Sequence, residues 1–118
     1  MKKILVIEDE PGMLSWLRAL LKTRGFEVIA IEDGLAGMQA AVSEVPDLII
    51  SDIMLDNANG FIIRQELQEN PVTRNIPYIF MTGAADVAGA WEADDAVQYL
   101  TKPFSAVELM EAIRKQIG

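Results

Sequence analysis

The sequence predicts an α/β fold: a doubly wound sheet of five parallel strands alternating with five helices. Two observations carry this prediction. Short, largely apolar runs recur along the chain: Ile4-Leu5-Val6-Ile7, Leu48-Ile49-Ile50, Tyr78-Ile79-Phe80-Met81 and Val97-Gln98-Tyr99-Leu100. Strands buried on both faces read in this continuous way. Helix-period stretches separate the runs, which is the βαβ pattern of a parallel sheet. Right-handed crossovers then put helices on both faces.

The elements follow in order. The first strand reads Lys3 to Ile7. The first helix reads Pro11 to Arg24, with Pro11 suited to its first turn and Gly25 to the position just past its end. Its apolar stripe is Met13, Leu17, Leu20 and Leu21, with Leu14 at the margin. The second strand is Glu27 to Ile31. Asp33 is the expected N-cap of a second helix that ends near Val45-Pro46. The third strand is Asp47 to Ser51. Asp56, Asn57, Asn59 and Gly60 mark a loop, and a third helix runs from Phe61 to Asn70. Pro77 introduces the fourth strand. The alanine-rich stretch Ala84 to Ala96 is broken by Gly89 and predicts a short or mobile fourth helix. The fifth strand is Val97 to Leu100. Ser105 and Glu108 form a capping box that opens the fifth helix.

Composition bounds the chemistry. At 118 residues and 51% apolar, the chain is one domain with one real core, residues 1–118. It has no cysteine and no histidine, which excludes disulfides, thiolate nucleophiles, histidine-ligated zinc and Ser-His-Asp triads. A net charge of −8 gives no footprint for nucleic acid or for an anionic membrane surface. The apolar part of the N-terminus is too short for a signal peptide, so the expected compartment is the cytoplasm.

Four polar clusters each follow one of the apolar runs: Glu8-Asp9, Asp52, Thr82 and Lys102. Open α/β sheets bind ligands at the carboxyl ends of their strands. Two carboxylates about 4 Å apart repel by about 4 kcal/mol at an effective dielectric of 20. Three together need a cation, or one must stay protonated. Oxygen ligands without His or Cys favour Mg²⁺, with Mn²⁺ and Ca²⁺ as alternatives. The simpler reading makes Glu8, Asp9 and Glu10 an acidic helix start favoured by the dipole. Asp52 on another strand tip tips the balance to the metal. Lys102 and Thr82 add a fixed charge and a hydroxyl, which a phosphoryl group on Asp52 would need.

These four segments together resemble a response-regulator receiver domain: Ile4 to Glu10, Asp47 to Leu55, Ile76 to Gly83 and Tyr99 to Phe104. The resemblance covers essentially the whole chain. It implies the flavodoxin-like strand order 2-1-3-4-5 and a two-component signalling switch. Asp52 would accept a phosphoryl group from a sensor-kinase histidine or a phosphotransfer protein. Asp9, Asp52 and the Met54 carbonyl would hold Mg²⁺, with Glu8 acting in the same acidic pocket through water. Lys102 would contact the phosphoryl oxygens. Thr82 would move towards them, and Tyr99 would swing inward behind it. That pair would pass the state to the face formed by the fourth helix, fifth strand and fifth helix, controlling a downstream partner or a fused output domain. The bond before Pro103 would be cis. The chain would catalyse only its own phosphorylation and dephosphorylation.

Some residues depart from the family's pattern. Asp56 stands where proline is usual, and is expected to point to solvent. Asp94-Asp95 do not lead into Tyr99 as the family's motif does, which puts the fourth helix and its output face in question. Ala112 stands where one transcription-factor subgroup carries an arginine for pairing. Gly83 leaves access to the phosphoryl group. Met54 and Ala84 offer nothing to position a hydrolytic water, so slow dephosphorylation is expected. Trp16 and Trp91 read as partly packed, with Trp91 alternatively a partner anchor. The competing function is a receiver-like binding module that works without phosphorylation. An aspartate-based phosphatase is disfavoured because Met54 stands where a second acid is needed. Either a single-domain regulator or a segment of a longer one fits.

Overall fold

The computed structural model describes residues 1–83 and 97–118. Its sheet has five parallel strands in the order β2-β1-β3-β4-β5. They are β1 (Lys3–Ile7), β2 (Glu27–Ile31), β3 (Leu48–Asp52), β4 (Tyr78–Thr82) and β5 (Val97–Thr101). The described helices are α1 (Pro11–Thr23), α2 (Gly34–Glu44), α3 (Gly60–Glu69) and the C-terminal α4 (Ala106–Ile117). The helix expected over Ala84 to Ala96, with Trp91, lies outside the described residues.

Both faces of the sheet are covered. Ile4, Val6, Leu48, Ile50, Ile79 and Met81 pack against α1 and α4. Leu5, Ile7, Ile49, Tyr78 and Phe80 pack on the other side against α2 and α3. This two-sided burial is why the central strands lack polar alternation. β3 and β4 are buried throughout, whereas the edge strands β2 and β5 are half-buried over most of their length.

Local signals set the helix ends. Asp33 caps α2 by accepting from the Ala36 N–H at 2.7 Å. Ser105 and Glu108 form the reciprocal capping box of α4. Gly25 follows α1 with φ +89°, a conformation that favours glycine. Two readings are corrected. The buried stripe of α1 is Leu14, Leu17 and Leu21, with Met13 and Leu20 half-buried at its edges. Leu14, Leu17 and Leu21 share one buried cluster with strand residues of the sheet and with Leu109, Ala112 and Ile113 of α4. β3 also runs one residue later than expected, from Leu48 to Asp52, so Asp52 is its last residue. Its backbone stays in register with Met81 of β4.

The order of strands reverses between β1 and β3. That reversal opens a crevice above their carboxyl ends. No described helix is long and apolar enough to cross a membrane.

Candidate functional site

The crevice gathers residues from three strand ends. Glu8, directly after β1, is fully buried, and Asp52 is nearly so. Asp9 is half-exposed beside them. One carboxylate oxygen from each of Glu8, Asp9 and Asp52 lies within 4.8 Å of the others. Lys102, one residue past β5, reaches in between. Its Nζ donates to Glu8 Oε1 at 2.7 Å and to Asp52 Oδ2 at 2.8 Å. The expectation that Glu8 works through water is therefore supplemented: in this structure its direct partner is Lys102.

The backbone holds these groups in place. The Met54 N–H donates to Asp52 Oδ1 at 3.1 Å, and the Glu10 N–H donates to Glu8 Oε2 at 3.1 Å. The Asp56 N–H donates to Asp9 Oδ2 at 2.8 Å, while the Asp56 side chain is exposed as expected. The Lys102 N–H donates to the Thr82 carbonyl at 2.7 Å, tying the root of the lysine to the β4 tip. The Lys102–Pro103 bond is cis.

Burial and charge pull these groups in opposite directions. Desolvation raises the Glu8 carboxyl, and the Lys102 hydrogen bond only partly offsets it. Desolvation would by itself lower the Lys102 ammonium. The hydrogen bonds to Asp52 and Glu8 outweigh it and leave the ammonium above its ordinary value. Three carboxylates around one ammonium leave an excess of negative charge. The donor set is all oxygen, compact and anionic, and so fits a hard divalent cation.

The remaining predicted residues take up distinct positions. Thr82 is buried at the end of β4, next to exposed Gly83, where a Cβ would meet nothing within 4 Å. Met54 is exposed just beyond Asp52. Tyr99 is not at the strand tips. It is half-buried on β5, and its ring stacks on Phe80 at 5.8 Å. Trp16 is partly packed, 6.0 Å from the Phe104 ring. Ala112 is in the core, so the residue there faces the sheet.

Two contributors were not singled out by the sequence. Glu10, not Asp9, caps α1, accepting from Gly12 and Met13 N–H groups at 2.9 and 2.6 Å. The acidic helix-start reading thus holds for Glu10 alone. Gly60 lies directly behind the site. A Cβ there would sit 2.5 Å from the Asp52 carbonyl oxygen and 3.0 Å from Ile53 Cα. The Asn59-Gly60 step before a helix was the available signal, since a glycine at a close backbone approach looks the same as one in a turn.

The pattern of the response regulator receiver domain matches residues 4–114. RpaA of Synechocystis, a DNA-binding dual master transcriptional regulator, is 34% identical over 116 residues, or 97% of this chain and 48% of that protein. PilH of Pseudomonas aeruginosa is 32% identical over 115 residues, or 96% of this chain and 95% of that protein. The response regulator TrrA of Thermotoga maritima, solved in complex with Mg²⁺-BeF, superposes with a TM-score of 0.85 at 28% identity, over 98% of this chain and 99% of that one. The chain spans about half the length of several curated relatives it matches, including RpaA at 48%, ArlR at 53% and IrlR at 48%. With the sheet order, the strand-tip residues and the sequence match all in agreement, the chain belongs to the response-regulator receiver domain family.

Proposed function

We propose that the chain, as one receiver domain over residues 1–118, is a phosphoryl-accepting switch of a two-component system. Asp52 takes the phosphoryl group from a histidine of a sensor kinase or phosphotransfer protein. One observation carries this reading: Lys102 Nζ bridges Glu8 and Asp52 at 2.7 and 2.8 Å, at a strand tip where Asp9 also converges. Such a cluster suits the charge of a transferring phosphoryl group.

Asp52 is the nucleophile. Its carboxylate oxygen bonds to phosphorus as the phosphorus–nitrogen bond breaks, and the electron pair leaves with the imidazole. Glu8, Asp9, Asp52 and the Met54 carbonyl would hold Mg²⁺, or Mn²⁺ in its place. The bound ion would offset the charge gathering on the oxygens. Lys102 turns from the Asp52 carboxylate to a phosphoryl oxygen while keeping Glu8. Thr82 donates its hydroxyl to another, and exposed Gly83 leaves room for it. Tyr99 moves with Thr82 and changes the face around β5. Pro103 shapes the turn that carries Lys102.

The chain turns over no separate substrate; its chemistry is gain and loss of its own phosphoryl group. Its output is a downstream protein or an output domain fused to it. Nucleic acid and membrane are not direct partners of this acidic domain, and its place is the cytoplasm. Incubation with Mg²⁺ and acetyl phosphate, followed by intact-mass measurement, tests the reading. One phosphoryl adduct on the parent and none on Asp52→Ala is expected. No adduct on a parent that binds Mg²⁺ overturns it.

A further inference from the structure

The segment after Asp52 folds back as a tight turn. The Leu55 N–H donates to the Ala58 carbonyl at 3.2 Å, and Met54 bridges Asn59 in the antiparallel sense. Asp56 and Asn57 form its exposed tip. Each is tied to a different strand-to-helix junction. Asp56 donates its N–H to Asp9 Oδ2 at 2.8 Å, just past β1. Asn57 Oδ1 accepts from the Gly34 N–H at 3.3 Å at the start of α2, and its Nδ2 donates to Asp33 Oδ1. An amide suits this place because it faces a donor on one side and an acceptor on the other. The backbone of α2 also lies close to the turn: a Cβ on Gly34 would come 2.9 Å from Ala58 Cβ and 3.1 Å from Leu55 Cδ1.

The consequence falls on Asp9. Its carboxylate belongs to the cluster with Glu8 and Asp52, yet it is half-exposed and repelled by both. In this chain, which has no proline at position 56, the Asp56 N–H is its fixed donor. We propose that Asn57 is a positioning residue for divalent-cation binding. It pins the turn against α2, and the pinned turn holds the Asp56 N–H that orients Asp9 towards its fellow carboxylates. The proposal rests on the reading of these carboxylates as a cation site. Hydrogen-bond partners of ligating groups typically change metal affinity by about 10- to 100-fold.

Calorimetric titration with Mg²⁺ tests it on the whole chain, comparing the parent with Asn57→Ala, Gly34→Ala and the double variant. Each single change is expected to weaken the Kd about tenfold. The double variant should be no weaker than the singles, because both changes act on one turn. Gly34→Ala presses on the turn from the α2 side and serves if Asn57→Ala folds poorly. Urea denaturation of the same variants separates the roles, since a merely structural contact would move stability and leave the Kd alone. An unchanged Kd in folded Asn57→Ala, beside a parent that binds, overturns this proposal only. Effects that multiply in the double variant also overturn it. A parent that binds no Mg²⁺ removes the cation-site reading itself.

Discussion

Replacing Lys102 with methionine removes the cation that bridges Glu8 and Asp52 while keeping most of the side-chain volume. The magnitude follows from the geometry. Lys102 Nζ lies 2.7 Å from a fully buried carboxylate and 2.8 Å from one that is 12% exposed. Each attraction is worth about 6 kcal/mol gross at these separations and an effective dielectric of 20. Most of that is offset in the parent by the cost of desolvating the ions. Breaking a buried pair typically costs about 3–5 kcal/mol, because the abandoned charge stays buried. Lys102 is itself about a quarter exposed, which puts the expected loss at the lower end, about 3 kcal/mol. Urea denaturation in the presence of a chelator near neutral pH measures it. Two recoveries are expected in the variant. Lowering the pH to about 5 should return part of the loss, as one carboxyl takes up a proton. Mg²⁺ should stabilise the variant more than the parent, because it replaces the missing positive charge. A loss below about 0.5 kcal/mol, within the range of ordinary surface substitutions, would refute the reasoning. So would a loss that neither protons nor Mg²⁺ reduce.

Other predictions concern the frame around the site. Gly60→Ala forces a methyl group to within 2.5 Å of the Asp52 carbonyl oxygen, so the end of β3 must shift, and denaturation should show a loss of about 2–3 kcal/mol. The Glu8 carboxyl is raised by burial, so the folded state binds its proton more tightly than the unfolded chain does. Stability should therefore fall as pH rises from the ordinary value of 4.5 through the raised one, and Glu8→Gln should flatten that part of the profile. The Tyr78 hydroxyl is buried, has no hydrogen-bond partner among the described residues, and is pushed well above its ordinary pKa by desolvation. Tyr78→Phe should leave thermal stability unchanged or raise it by about 1 kcal/mol, whereas a loss above that would reveal a partner for the hydroxyl.

What could be read from the sequence was local or periodic. The strands announced themselves because β1, β3 and β4 are buried on both faces and allow few polar residues. Asp33 and the Ser105–Glu108 box were legible because a cap and its partners lie within three residues. The face of α1 was harder to read. Leu14 or Met13 could lead the stripe, and only tertiary packing decides for Leu14, which is buried where Met13 is half-buried. The acidic run Glu8-Asp9-Glu10 illustrates the same limit. Its three carboxylates do three different things: Glu8 pairs with a lysine 94 residues away, Asp9 takes the Asp56 N–H, and Glu10 caps a helix. Nothing in the run itself distinguishes them. The contact from Asp56 is made by its backbone, which any residue but proline could supply, so it left no mark in the side-chain pattern. Gly60 was visible only as a turn residue, because its close approach to Asp52 depends on how α3 meets β3.

The central claim is that Asp52 itself carries the phosphoryl group. Borohydride reduction converts an aspartyl phosphate to homoserine, and peptide mapping then locates it. After treatment with Mg²⁺ and acetyl phosphate, homoserine should appear at position 52 and nowhere else, and only when Mg²⁺ is present. Reduction at another carboxylate, or a phosphoryl group that maps to Thr82 or another hydroxyl, would contradict the account.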